Sequence, residues 1–219
     1  MKITKPALIL LLFSLQLFIP DMGLARSVDE RVYIVPAGPV DQKIVKTLKE
    51  RLPGCLPMAA KAVIEPPKDL PHAAYDEARN QYNAETMLDV LSKRVVMGVA
   101  MERSLFVVDV DLYSPGLDSV CGLADPKKGA CIISLARLRN EFYGLKPDNR
   151  LFIDRAVKEA VRELGRTYGI DGCPDHRCVM FSSGNRAGDD KKRDTFCVEC
   201  RIKLRKRYGG SIIGPILPK

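Results

Sequence analysis

Histidine is the telling scarcity: the 219 residues hold only His72 and His176. A metal centre built on three imidazoles is therefore excluded. Long apolar runs are also missing. The run Ala7 to Phe18 covers twelve residues, whereas a helix needs about 20 to cross the hydrocarbon core. A formal charge of +8 could draw the chain to nucleic acid or an anionic membrane. No recognisable nucleic-acid module accompanies it, however, and the basic residues are spread out. Their single cluster, Arg201, Lys203, Arg205, Lys206 and Arg207, reads as a solvated tail, so no nucleic-acid partner is expected.

At the N-terminus, Lys2 and Lys5 form a positive segment, Ala7 to Phe18 an apolar one, and Gly23-Leu24-Ala25 a small-residue cleavage site. That order is the pattern of a signal peptide over residues 1–25. It predicts export to a periplasm or the exterior, with no membrane span after cleavage; the alternative is an uncleaved signal anchor. No cysteine follows the apolar run, which argues against lipid attachment. Cleavage would leave 26–219, enough for a single domain with a full core. Losing two lysines and one aspartate takes the formal charge from +8 to +7.

Alternating β-branched residues predict a strand at Arg31 to Ala37. Ile44, Val45, Leu48 and Leu52 recur at helical spacing and predict a helix over Val40 to Leu52. A second strand is expected at Ala60 to Ile64, a loop over Pro67 to Ala78, and a helix from Asn83 to Arg94. Val95 to Ala100 and Leu105 to Leu112 read as further strands. Alternation of β and α segments predicts an α/β sandwich with a mostly parallel sheet. Ser119 to Leu135 reads as a hairpin turning at Asp125 to Gly129. Cys121 and Cys131 fall on its opposite arms, where strand partners approach within about 5.5 Å. A disulfide between them is one expectation, and two buried thiols the other.

Four of the seven cysteines form two close pairs, Cys173-x4-Cys178 and Cys197-x2-Cys200. Two pairs about twenty residues apart are the spacing of a tetrahedral four-cysteine zinc site. Two disulfides, or uncombined thiols, remain the other reading, and an exporting cell would favour oxidation. Upstream, Phe152 to Tyr168 predicts a helix with an apolar stripe of Ile153, Ala156, Val157, Ala160, Val161, Leu164 and Tyr168. Its opposite side carries Arg155, Glu159, Arg162, Glu163 and Arg166. Segments beyond Cys200 read as irregular.

The order of these residues resembles the archaemetzincins, metzincin-type zinc peptidases with the signature H-E-x-x-H-x-x-G-x3-C-x4-C-x-M followed by C-x2-C. Glu163, Gly169, Cys173, Cys178 and Met180 fall in register, and Cys197 and Cys200 follow after a slightly shorter loop. Asp111-Leu112-Tyr113, Pro115-Gly116-Leu117, Gly122, Ala124-Asp125 and Ser134 to Leu138 extend the likeness, which is weak before residue 85 and strong after 105. The resemblance implies a metzincin-like three-layer sandwich with a mostly parallel twisted sheet. It also implies an active-site helix, a Met-turn at Met180, and a C-terminal segment stapled by a structural zinc on Cys173, Cys178, Cys197 and Cys200.

The three catalytic-zinc histidines of that signature are absent: Arg162, Arg166 and Gly172 stand in their places. A guanidinium stays protonated and offers a metal no lone pair, and glycine offers no side chain. Glu163, at the general-base position, would face unactivated water of pKa about 15.7. It is expected instead to pair with Arg162, Arg166 or Arg155, as Glu159 does, at i+3 or i+4 spacing. The expectation is a monomeric pseudoenzyme with one structural zinc and no catalytic zinc, holding an extended peptide or protein segment along a sheet edge. The alternatives are an active aminopeptidase-type metallopeptidase with an atypical site around Glu163, and an interaction protein whose groove has closed.

Overall fold

The computed structural model describes residues 30–57, 59–93, 102–182, 184 and 186–208. In chain order its elements are β1 (Glu30–Ala37), α1 (Gln42–Cys55), β2 (Ala59–Ile64), β3 (Tyr75–Asp76), β4 (Gln81–Asn83), α2 (Ala84–Ser92) and β5 (Glu102–Val108). Then come β6 (Leu112–Ser114), β7 (Leu117–Val120), β8 (Gly122–Asp125), β9 (Ala130–Ser134), α3 (Asn149–Thr167), α4 (Arg186–Lys191) and α5 (Val198–Tyr208).

A five-stranded sheet ordered β2-β1-β5-β9-β8 forms the centre. Its first four strands are parallel, and β8 closes the edge antiparallel to β9. Parallel strands carry helices on both faces and read as continuous apolar runs; Leu105 to Val108 are accordingly all buried. Val32, Ile34, Leu105, Val107 and Ile133 pack with α1 and α3, whereas Val35, Phe106, Val108 and Ile132 pack with α2. The result is the three-layer sandwich expected.

Local chemistry fixes the helix starts. The side chains of Asp41, Asn83 and Asp148 accept from the backbone N–H groups of Lys43, Thr86 and Leu151, capping α1, α2 and α3. Helix α1 runs past the expected end at Leu52 and through Pro53. A proline forfeits a single bond there, and Leu56 N–H closes on Leu52 O at 3.0 Å. Helix α2 stops at Ser92, and the strand expected at Val95 to Ala100 lies outside the described residues. Among the described residues no helix is long and apolar enough to cross a membrane.

Four expectations are corrected or decided by the structure. The strand read as Leu105 to Leu112 breaks at Asp109–Asp111, where Arg139 and Arg137 hold the two aspartates by bidentate pairs. Beyond that break Leu112 joins a second, four-stranded sheet, β3-β4-β6-β7, and β3 arises inside the presumed loop Pro67 to Ala78. The hairpin forms, but its register sets Cys131 opposite Ala124 and Gly122 opposite Ile133. Cys121 thus falls beyond the paired residues, and no bond joins it to Cys131. Finally, the segment past Cys200 is not irregular throughout: α5 continues to Tyr208, with Cys200 and Leu204 buried one turn apart.

Candidate metal centre and the cleft beside it

The end of α3 sets the path of the first two cysteines. Gly169, at φ +80°, turns the chain out of the helix, and Arg207 of α5 lies so close that a β-carbon there would sit 2.1 Å from its Nη1. Asp175 then organises a turn, its backbone O taking the Cys178 N–H at 2.9 Å and its carboxylate the Arg177 N–H at 2.9 Å. The second pair brackets the start of α5, Cys197 before it and Cys200 inside it.

All four Sγ atoms lie within 4.8 Å of one another. Cys173 and Cys197 are 3.5 Å apart, Cys178 and Cys200 3.9 Å. A tetrahedral zinc with bonds of about 2.3 Å needs sulfurs about 3.8 Å apart, so the four donors are gathered at close to the size that zinc requires. The Cys197 N–H points at Cys178 Sγ, 3.3 Å away, a second-layer bond that steadies a thiolate. The Cys178–Cys200 contact draws the Cys178 thiol down to about 5 and pushes Cys200 well up, while burial raises Cys173 to about 11. Four thiols this crowded share charge poorly unless a cation joins them. His176, in the loop between the first two, is exposed and outside the cluster.

Beside α3 lies a cleft of about 400 Å³ walled by the β7–β8 link, α3 and the segment around α4. Arg162 and Arg166 sit one turn apart and both line it. Arg162 Nη1 meets Glu159 Oε2 at 3.2 Å, and Arg166 Nη1 meets Glu163 Oε1 at 2.9 Å, the i,i+3 pairing expected. Arg155 goes elsewhere: it grips Asp190 through two bonds of 2.7 and 2.8 Å and donates to Leu138 O.

Glu163 is fully buried and, unlike Glu159, does not line the cleft. The start of edge strand β8 covers it: a β-carbon on Gly122 would fall 2.6 Å from Glu163 Cγ. Among the described residues its Oε2 has no hydrogen-bond partner. Burial, then the charge of Glu159, pushes its carboxyl up to about 7 against the pull of Arg166 and Arg162. Gly172 is exposed with open space around it. Met180 is buried under α3, its Sδ 2.6 Å from where a β-carbon on Gly165 would be, so the helix rests on this methionine through a glycine. His72 is exposed on a separate turn.

Sequence reasoning did not find the Arg155–Asp190 clamp, or Lys192 beside it. Their partners lie in a polar stretch between the cysteine pairs whose six-residue helix α4 is too short to show a period. Nor did it find Gly122 as the lid on Glu163, a role that only a close approach reveals.

Comparison with known proteins agrees with this architecture. The solved structure of a zinc-dependent peptidase from Methanocorpusculum labreanum superposes with a TM-score of 0.72 at 32% identity, covering 79% of this chain and 99% of that one. Archaemetzincin from Methanopyrus kandleri gives 0.69 at 32% identity, covering 84% and 98%. The fold is thus that of a zinc metallopeptidase homologue. In sequence, the archaemetzincin of Pyrococcus furiosus is 36% identical over 185 residues, 82% of this chain and 95% of its own. That of Methanocaldococcus jannaschii is 36% identical over 179 residues, 81% and 94%. The sequence model described as peptidase family M54 matches residues 33–206, and the chain belongs to that family, the archaemetzincins.

Proposed function

We propose that this archaemetzincin has lost the catalytic zinc and peptidase activity, and acts as an exported binding protein for an extended peptide or protein segment. One observation carries the reading: where the family signature places two imidazoles, two guanidinium groups stand, each tied to a glutamate of its own helix. Neither can give a lone pair to a metal, and together they repel a divalent cation. Glu163 supports the same reading, because a base must come within about 3 Å of the proton it takes and this carboxyl is closed off from the cleft. The edge position of β8 offers backbone groups to which an extended chain can add.

The four cysteines hold a structural zinc in this proposal. A site with four thiolates has no open position, so the ion contributes to folding and ties the exit of α3 to α5. Residues 1–25 direct export and are removed.

A second reading has one observation in its favour. The Glu163 carboxyl is pushed up to about 7, a value suited to general-base work near neutrality, as in an active aminopeptidase-type enzyme. Metal analysis and peptide digestion on the purified protein separate the two. One zinc per chain and no cleavage is expected. Two zincs per chain with cleavage abolished by Glu163→Gln overturns the proposal.

A further inference from the structure

The cleft beside α3 is lined by five cationic and three acidic side chains, and its cations divide into two groups. Arg155 is spent on Asp190, Lys158 bonds Asp154 and the Asp190 carbonyl, and Lys192 bonds Asp189 and the Phe181 carbonyl. These three brace α4 and its flanks against α3 and have little left to offer a ligand. Arg162 and Arg166 differ. Each commits one nitrogen, Nη1, to one carboxylate oxygen, leaving the rest of a planar five-donor fork unengaged among the described residues. Their side chains keep 19% and 31% of their exposure and stand on one face of the helix.

Arg162 and Arg166 therefore form a pair of permanent cations on the α3 wall of a cleft that also presents Leu117, Val120 and Leu138. Guanidinium recognises planar, two-oxygen anions through paired bonds. The partner glutamates do not cancel this. Glu163 spends one oxygen on Arg166 from behind, out of reach of anything in the cleft, and Glu159 holds Arg162 through a single 3.2 Å contact.

We propose that the cleft is a carboxylate receptor, in which Arg162 and Arg166 take the place of a metal and capture the free C-terminal carboxylate of a peptide lying along the β8 edge. The inference rests on the peptide-binding reading above and names the chemical end of the peptide that is gripped. A small dicarboxylic acid presents the same chemistry and could occupy the same forks.

Titration calorimetry on the protein with its zinc bound tests this with three probes. They are an N-acetylated tetrapeptide ending in a free carboxylate, the same peptide ending in an amide, and succinate. The free acid is expected to bind at least about tenfold more tightly than the amide, since charge-assisted pairs are roughly twice as strong as neutral ones. Arg162→Gln with Arg166→Gln should remove that preference, and Arg166→Lys should retain part of it by keeping charge without the fork. Tight succinate binding with a weak free-acid peptide identifies a small acid as the occupant and overturns the peptide assignment. Equal binding of acid and amide by the unmutated protein, or no binding of any probe, overturns the receptor, and neither outcome depends on a variant folding. Mass spectrometry of the recovered peptide keeps the two readings apart. Intact peptide with no acid preference removes the receptor alone, whereas cleaved peptide with a second zinc removes the pseudoenzyme reading beneath it.

Discussion

Glu163 is where burial and charge compete most openly in this protein. Its carboxyl has no exposure, one arginine partner and one orphan oxygen. The groups nearest to it are Glu159, Arg162 and Arg166 on α3 and, from β9, Cys131, whose thiol burial and the Glu163 charge push well up. A carboxyl raised from an ordinary 4.5 to about 7 binds protons more readily folded than unfolded. Its contribution to stability is complete below pH 4.5 and is lost as pH rises through about 7. At about 1.36 kcal/mol for each tenfold change in proton affinity, the whole swing is on the order of 3 kcal/mol. Denaturant melts from pH 4.5 to 8 should show that decline, and Glu163→Gln should flatten it; an unchanged pH profile would count against a buried, strained carboxylate. Gly122 belongs to the same few cubic ångströms. Gly122→Ala thrusts a methyl into Glu163 Cγ and within 3.0 Å of Ile132 O. A urea melt should register a loss of about 1–3 kcal/mol, the usual cost of overpacking.

Among the elements, legibility followed length and period. Helix α3 was readable from its apolar stripe, Ile153 to Leu164, although Asp148 caps it and it begins at Asn149, ahead of the expected Phe152. The parallel strands were readable as β-branched runs. The second sheet was not, because strands of two to four residues carry no measurable alternation. Whether Cys121 and Cys131 would bond or stay thiols was open in the sequence for a related reason, since hairpin arms can be seen there but their register depends on the turn. Helix α5 was obscured by its composition. Only Cys200 and Leu204 are buried in it, and its other face is basic, so packing alone secures it weakly. Such a helix should depend on the metal. Stripping zinc with a chelator, or Cys200→Ser, is expected to lower stability by about 4 kcal/mol or more. The helical circular-dichroism signal should fall, and zinc content should drop from one per chain to none. A chelated protein that melts unchanged would show that the thiols are held by something other than a metal.

Across the whole molecule, the candidate site was legible as residue types and not as geometry. Arginine at 162 and 166 departs from the family signature, but only the fold shows that the archaemetzincin architecture around those positions is kept. The antiparallel edge strand still lies over α3, Met180 still supports it through Gly165, Gly169 still turns the chain, and the space around residue 172 is open. These features come from separate elements tied together by both hydrophobic cores, so three side-chain changes should not disturb them. Arg162→His, Arg166→His and Gly172→His made together place two imidazoles one turn apart and a third past the glycine turn, the arrangement that holds zinc in metzincin-type sites. The ion pairs to Glu159 and Glu163 disappear in the same step, and the divalent charge replaces the two guanidinium charges. The triple variant is expected to bind a second zinc per chain, read by metal analysis after dialysis, with the four-cysteine ion unchanged. If the count stays at one while the variant folds, the cleft does not admit an ion, and the protein is an interaction scaffold with no peptide groove.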